Sequence, residues 1–375
     1  MGKAIWRLIL FLLPLGFVLI GCNIYVDPAG RVHDSLNKDF ALSLLNGNDT
    51  FVVSGNLDER KSIMYRIDNM KEPYDVIAVG PSLVMCITSE MVESDSFMNF
   101  GESGAQYYDI MAIFGQLDKN GLLPNHVLFC IDTMLFDGKR TPVDNRWNDQ
   151  KESADYMLSR LGISQSVNYS HTSLLASMRH SLSKYLALCR ISYFQSSVKI
   201  LEKQGSFHFQ RYGIVNENYT GAYWRKDGSH VYSLDFRQTP VNDVKNNIFE
   251  YINNNFNGHI SLSAHIEAEY KKGFESLIGY LYNCGVEVTF FLCPFPPPLW
   301  DEISSNPDIW SLPLEVQEYA NAFAKENGIH VIGSLNPYEC GVDIADYYDN
   351  RHLKAESIAA HFNFSIDKDN ITIAN

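Results

Sequence analysis

Two short stretches, near opposite ends of a chain of 375 residues, carry the residue types that nucleophilic chemistry needs. The first is Tyr74-Asp75-Val76-Ile77-Ala78-Val79-Gly80-Pro81-Ser82. Its apolar run into Gly-Pro-Ser reads as a buried strand, a tight turn and the start of a helix over residues 83–91. A serine there sits at the carboxyl edge of a parallel sheet, where open α/β sheets place their ligands. Its hydroxyl would stand at a helix N-terminus, which favours developing negative charge. The same position suits a plain N-cap, so this stretch alone leaves nucleophile and cap as alternatives. The second stretch is Asp346-Tyr347-Tyr348-Asp349-Asn350-Arg351-His352-Leu353. An Asp three residues before a His can accept from the ring Nδ1–H. That fixes the tautomer and leaves Nε2 free to take a serine proton. Of eleven histidines, His352 alone combines this spacing with a loop expected at the sheet's carboxyl edge. Ser82, His352 and Asp349 are therefore the candidate nucleophile, base and orienting acid.

The elements that must position them alternate. Residues 74–136 read as a strand ending at Gly80, a strand over 97–101, a helix over 105–120 stopped by Asn120-Gly121, and an apolar strand over 126–131. Residues 261–375 resume with a helix over 263–283, a strand over 286–292, a stiff proline loop over 293–300, a helix over 314–327, a strand over 329–332 and a helix over 354–362. This alternation predicts an α/β fold with a central parallel sheet covered by helices. The main domain is 73–375, and residues 137–260 interrupt it as an insertion. That insertion carries one long helical stretch, 170–201, and a loop at 224–230. It is expected to pack over the sheet edge, as a carrier of substrate contacts or as a structural cap. The insertion is rich in aromatics, Tyr219, Tyr223, Trp224, Tyr232 and Phe236, which suit either stacking on sugar rings in a binding scaffold or filling a core.

Residues 26–72 form a lead-in, with a short helix near 40–45 and a strand near 51–53. Residues 1–25 are a signal anchor or a lipoprotein signal. Lys3 and Arg7 precede an apolar run over 8–21, which orients the N-terminus inward. Leu19-Ile20-Gly21-Cys22 resembles a lipoprotein cleavage box; an intact Met1 in mature protein would exclude that reading. Either outcome exports the body to the cell surface or periplasm, with the membrane as a partner through the N-terminus. The formal net charge of -14 and the lack of a basic stripe argue against nucleic acid as a partner. Cys22 aside, the six remaining cysteines are scattered, several of them in apolar runs. They read as buried small hydrophobes rather than a disulfide framework. No Cys/His cluster has zinc spacing, so no metal or cofactor is expected.

Gly80-Pro81-Ser82, Asn99-Phe100-Gly101-Glu102-Ser103-Gly104 and Asp349-Asn350-Arg351-His352, in that order, resemble the blocks of the SGNH (GDSL-like) hydrolase superfamily. With the apolar N-terminus, Asp27-Pro28 and the long insertion, the chain is similar to a membrane-anchored branch. That branch holds the D-alanyl-lipoteichoic acid transfer protein and the alginate O-acetyltransferase-like proteins. The resemblance covers most of residues 24–365 as a pattern and is specific only in the three blocks. It implies a flavodoxin-like three-layer SGNH fold with a central parallel sheet and a long, partly helical insertion. It makes Ser82 the nucleophile on an acyl carbonyl, His352 the base and then the acid, and Asp349 the residue that orients it. The N–H groups of Ser82 and Gly104 would form the oxyanion hole, with Asn99 in support by shaping the turn. The chain departs from the branch at Pro81 and Leu83, where a serine and an arginine are usual. After the third strand it carries Ile131-Asp132-Thr133-Met134 and no oxyanion asparagine. The implied function is an exported, membrane-tethered serine esterase or O-acyltransferase acting on a cell-envelope polysaccharide, with a membrane-bound O-acyltransferase as partner. The alternative is a non-catalytic envelope scaffold that binds glycan or such a membrane partner. Hydrogen-bond reach between Ser82 Oγ and His352 Nε2 separates the two.

Overall fold

The computed structural model describes residues 2–28, 35–53, 57–139, 150–163, 186, 188–204, 211–254 and 263–365. In chain order its strands are β1 (Thr50–Val52), β2 (Val76–Val79), β3 (Phe97–Asn99), β4 (His126–Cys130), β5 (Tyr212–Ile214), β6 (Tyr223–Trp224), β7 (His230–Val231), β8 (Glu287–Leu292) and β9 (His330–Gly333). Five of them form a parallel sheet in the order β3-β2-β4-β8-β9. Every residue of β2, β3 and β4 is buried, which is why these strands read as apolar runs rather than alternating ones. Successive side chains of a strand point to opposite faces, and Phe290 and Phe291 show both covered. Phe290 meets Phe274 of the helix Ala268–Asn283 at 5.7 Å and Phe323 of the helix Ser311–Asn327 at 6.3 Å. Phe291 meets Phe362 and Phe364 at 5.5 and 5.2 Å. The protein is thus mixed α/β, a five-strand parallel sheet flanked by helices.

From β2 the chain steps to one side, to β3, and then to the other, to β4. The crevice above that reversal is where such sheets bind ligands, and Ser82 follows β2 directly into it. Gly80 makes the exit from β2. Its φ is +144°, and a Cβ there would lie 2.6 Å from Cys130 Cβ on the adjacent strand. No side chain fits that close approach of backbone to strand.

The other four strands form a separate antiparallel sheet, β5-β1-β6-β7. Its β1 comes from the lead-in and the other three from the insertion, so two segments far apart in sequence share one sheet. The stretch expected as a loop at 224–230 is the hairpin β6–β7, with Trp224 paired to His230. The proline run does not stay a loop. Pro297 opens the helix Pro297–Ser305, since a proline lacks only an N–H that the first helical turn leaves unused. The helix expected over 170–201 is interrupted: Cys189 and Arg190 stand outside helix, and a new helix, Ile191–Gln204, begins after them, while residues 164–185 lie outside the described residues. A helix spans Gly2–Val26, and among the described residues no helix is long and apolar enough to cross a membrane. All seven cysteines are free. Cys86, Cys130 and Cys293 are buried, as small hydrophobes would be, whereas Cys189 and Cys284 are exposed.

Candidate active site

Ser82 Oγ lies 2.8 Å from His352 Nε2, and His352 Nδ1 lies 2.9 Å from Asp349 Oδ2. With Asp349 ionised, Nδ1 carries the ring proton and donates to it. Nε2 is then an acceptor, and the serine hydroxyl donates to it. Asp349 Oδ1 also accepts from the backbone N–H of Arg351 and of His352, both at 2.7 Å. Burial pushes the Asp349 carboxyl up, but the His352 ring and these two N–H groups outweigh it and hold the carboxyl below its ordinary value. The His352 and Asp349 side chains keep about a fifth of their surface exposed, so the site opens to solvent.

The loop that carries them is braced. Tyr348 N–H donates to His352 O at 2.8 Å, and Lys354 N–H to Asp346 O at 2.8 Å. Tyr347 is fully buried and donates its hydroxyl to Phe295 O at 3.0 Å. Arg351 lies across the Phe295 ring, 3.8 Å from its centroid, and forms an ion pair with Asp132 at the carboxyl end of β4. Asp132 also accepts from Met134 N–H, so one carboxylate ties the end of β4 to the histidine loop. In the sequence, Asp132 stands out only as the place of a missing asparagine. Its partner lies 219 residues away, and no local pattern pairs them.

Ser82 is not at a helix N-terminus, contrary to expectation. Residues 81–87 make successive turns, with Val84 N–H to Pro81 O at 3.0 Å and Met85 N–H to Ser82 O at 3.2 Å. The first helix thereafter, Ser89–Val92, is four residues long and is capped by Thr88. Outside donors take the carbonyls a helix would need. Asn99 Nδ2 donates to Val84 O and Ile87 O, both at 2.9 Å, and His230 N–H donates to Met85 O at 2.7 Å. Ser82 therefore neither caps a helix nor draws on a helix dipole.

Asn99 is fully buried. Its Oδ1 accepts from Gly101 N–H at 2.8 Å, so it shapes the turn after β3 as well as the one after β2. All its side-chain groups are committed to backbone, and it acts by holding both turns together. Glu102 N–H donates to Gly80 O at 3.1 Å, which brings the 102–104 loop beside the nucleophile turn. Gly104 has φ +64°, and the N–H groups of Ser82 and Gly104 donate to no acceptor among the described residues.

The lead-in helix Glu59–Asn69 grips that loop. Glu59 accepts from Ser103 N–H at 2.7 Å. Arg60 makes a bidentate pair with Asp109, at 2.8 and 3.0 Å, and its Nη2 lies 3.5 Å from both Ser103 O and Gly104 O. Glu102 is fully buried, 4.0 Å from Arg60 Nε. Burial, and then the charge of Asp109, hold its carboxyl well above the ordinary range against the pull of Arg60. Nearly two turns on, Arg66 donates to Asn99 O at 3.1 Å. The lead-in is thus more than a connection from the N-terminus to the body.

The insertion packs over this edge. Asp227 O accepts from Asn99 N–H at 2.7 Å, and Asp227 Oδ2 from Ser89 N–H at 2.9 Å. Rings run from Phe40 to Trp224 at 5.3 Å, Trp224 to His230 at 4.6 Å, His230 to Tyr232 at 4.6 Å and Tyr232 to His352 at 5.7 Å. Tyr219, Tyr223, Trp224, Tyr232 and Phe236 are all half-buried, so they are neither a free platform nor a sealed core. Among the described residues no group of three or more His, Cys, Asp or Glu side chains is placed to hold a metal ion. Compared with known proteins, the chain matches no family model and no curated protein.

Proposed function

We propose that the protein is an exported, membrane-tethered serine esterase or O-acyltransferase that acts on a cell-envelope polysaccharide. One observation carries this reading: Ser82 Oγ, His352 Nε2, His352 Nδ1 and Asp349 Oδ2 form an unbroken chain of contacts at 2.8 and 2.9 Å. That distance is the reach a general base requires. A scaffold that only binds has no need of this alignment. The strand order β3-β2-β4-β8-β9 supports the flavodoxin-like three-layer SGNH arrangement.

Ser82 Oγ forms a bond to the acyl carbonyl carbon while its proton passes to His352 Nε2. The negative charge gathers on the carbonyl oxygen, and the N–H groups of Ser82 and Gly104 are the donors offered to it. Each such donor is commonly worth about 3 kcal/mol in the transition state. The carbon–oxygen bond to the leaving alcohol then breaks, and the alcohol takes the proton from His352. In the second half, His352 deprotonates water or a sugar hydroxyl, which displaces Ser82 from the acyl group. Asp349 keeps Nε2 free of a proton at the start and stabilises the imidazolium that follows. Near a membrane, the acyl group would come from a membrane-bound O-acyltransferase.

The test is labelling of the full-length protein with a fluorescent serine-reactive phosphonate. Modification of Ser82, located by peptide mass, with none in Ser82→Ala, supports the reading. Equal labelling of Ser82→Ala sinks it. Turnover of an aryl acetate with and without an added glycan then separates hydrolysis from transfer.

A further inference from the structure

The histidine loop carries two tyrosines, and both have their hydroxyls occupied. Tyr347 donates to Phe295 O at 3.0 Å. Tyr348 accepts from Ala355 N–H at 3.2 Å and donates to Glu356 Oε2 at 3.3 Å. A third tyrosine, Tyr232, packs against this loop from the insertion. Its ring is enclosed by four others: His230 at 4.6 Å, Phe236 at 4.8 Å, Tyr348 at 5.5 Å and His352 at 5.7 Å. Its hydroxyl has no hydrogen-bond partner among the described residues and is not sealed from water. A phenylalanine would fill the same space. Enclosed tyrosines ordinarily find a partner for the hydroxyl, and folding leaves this one without.

The segment that carries Tyr232 is fixed at both ends. His230 N–H donates to Met85 O at 2.7 Å, three residues after Ser82, so the hairpin leading to Tyr232 is fastened to the nucleophile turn. On the other side, Arg237 Nε donates to Tyr232 O at 2.9 Å, and Ser233 caps the short helix Leu234–Arg237 that carries Phe236. Burial pushes the Tyr232 phenol up, and Cys86, Asp349 and Glu59 push it the same way. The hydroxyl therefore keeps its proton and can both donate and accept. Asp349 orients His352, and Glu59 holds Ser103 N–H on the 102–104 loop. A hydroxyl that feels both carboxylates faces the gap between the histidine loop and the loop of the Gly104 donor. An anionic group is repelled there, whereas a neutral hydroxyl is a matched partner.

We propose that Tyr232 is a substrate-contacting residue whose hydroxyl binds a neutral hydroxyl on the alcohol part of the ester. The alcohol part is the one in reach, because the Tyr232 ring lies beside His352, which carries the alcohol's proton in both half-reactions. The proposal rests on the Ser-His-Asp reading above and deepens it. The alcohol is an uncharged polyol, with a second hydroxyl near the one that bears the acyl group, as a sugar ring has. In transfer the same contact seats the accepting polyol. An alcohol with a single hydroxyl leaves Tyr232 unused.

The test compares kcat/KM for glyceryl monoacetate and methyl acetate in the full-length protein and in Tyr232→Phe, with phosphonate labelling of Ser82 followed in both. The two esters share the acetyl group and differ in the hydroxyls of the alcohol. Tyr232→Phe keeps the ring contacts and removes one oxygen. The expected result is a wild-type preference of about fivefold or more for glyceryl monoacetate, abolished in Tyr232→Phe, with Ser82 labelling unchanged. A wild type without that preference, or a Tyr232→Phe that keeps it, overturns the contact; labelled Ser82 then leaves the serine-enzyme reading standing. Equal loss on both esters also overturns it, since Tyr232 would then serve only to hold His352. No labelling of Ser82 in the wild type overturns that reading and the proposal with it.

Discussion

Arg351 reaches across the top of the sheet to Asp132, which stands 219 residues earlier at the end of β4. The pair is almost closed off from water: the Arg351 side chain is 18% exposed and that of Asp132 4%. Both charges would be costly if left alone, and the residue after Arg351 is His352. Removing one partner of such a pair typically costs about 3–5 kcal/mol. Arg351→Met should therefore lower the urea midpoint strongly and loosen the histidine loop. Asp132→Leu combined with Arg351→Met should recover much of the stability, since no orphaned charge remains. Activity should not recover with it, because the loop has lost its tie to β4. Full recovery of both would mean that the pair serves folding alone.

Asp349 makes three contacts with one carboxylate, and two substitutions separate them. In Asp349→Asn the amide oxygen can still accept the two backbone N–H groups. Its NH2 then faces Nδ1, which forces the ring proton onto Nε2, where it blocks the transfer from Ser82. Turnover of an activated ester should fall about 10²–10⁴-fold with little change in melting temperature. Asp349→Ala leaves three donors without an acceptor and should also lose about 1–3 kcal/mol of stability. A variant Asp349→Asn that keeps most of its turnover would remove Asp349 from the mechanism.

The positions of Ser82, Asp349 and His352 were readable because each sits in a short pattern with its own physical logic: apolar strand, Gly-Pro-Ser, and Asp-x-x-His. The parallel sheet was readable because strands buried on both faces are apolar throughout, as Phe129 and Phe290 show. The expected helix after Ser82 fails for a non-local reason. Asn99 and His230 supply donors to Val84, Met85 and Ile87 from 12 or more residues away, and no window around Ser82 contains them. The second sheet was hidden in the same way, since β1 finds its partners β5 and β6 across the whole first half of the fold.

Arg60 is 7% exposed, and its guanidinium serves Asp109 and the carbonyls of Ser103 and Gly104 together. Lysine keeps the charge but cannot make the fork. If the Gly104 N–H receives the developing oxyanion, Arg60→Lys should lower kcat about tenfold and leave KM nearly unchanged. Arg60→Met should do the same and destabilise the protein further, because the buried carboxylate of Asp109 loses its cation. A rise in KM with kcat intact would place Arg60 in substrate binding instead.

The ring of His230 lies between Trp224 and Tyr232, at 4.6 Å from each, and its Nδ1 is buried with no partner among the described residues. Burial, and then the nearby His352, bring it down from 6.5 to about 4. A histidine whose folded value is depressed takes its proton more readily when unfolded. Its contribution is complete above about pH 6.5 and is lost as the pH falls from 6.5 to 4, by no more than about 3 kcal/mol. His126 is also held low by burial, but it titrates alike in wild type and in a His230 variant and drops out of their difference. His230→Phe keeps the ring stack without the titration. Urea midpoints at pH 7, 6, 5 and 4.5 should therefore fall more steeply for the wild type than for His230→Phe, with the gap opening below pH 6.5. Parallel profiles would show that protons reach His230 as easily in the folded protein as in the unfolded chain, and the imidazole wedged beside His352 would then be no cause of acid sensitivity.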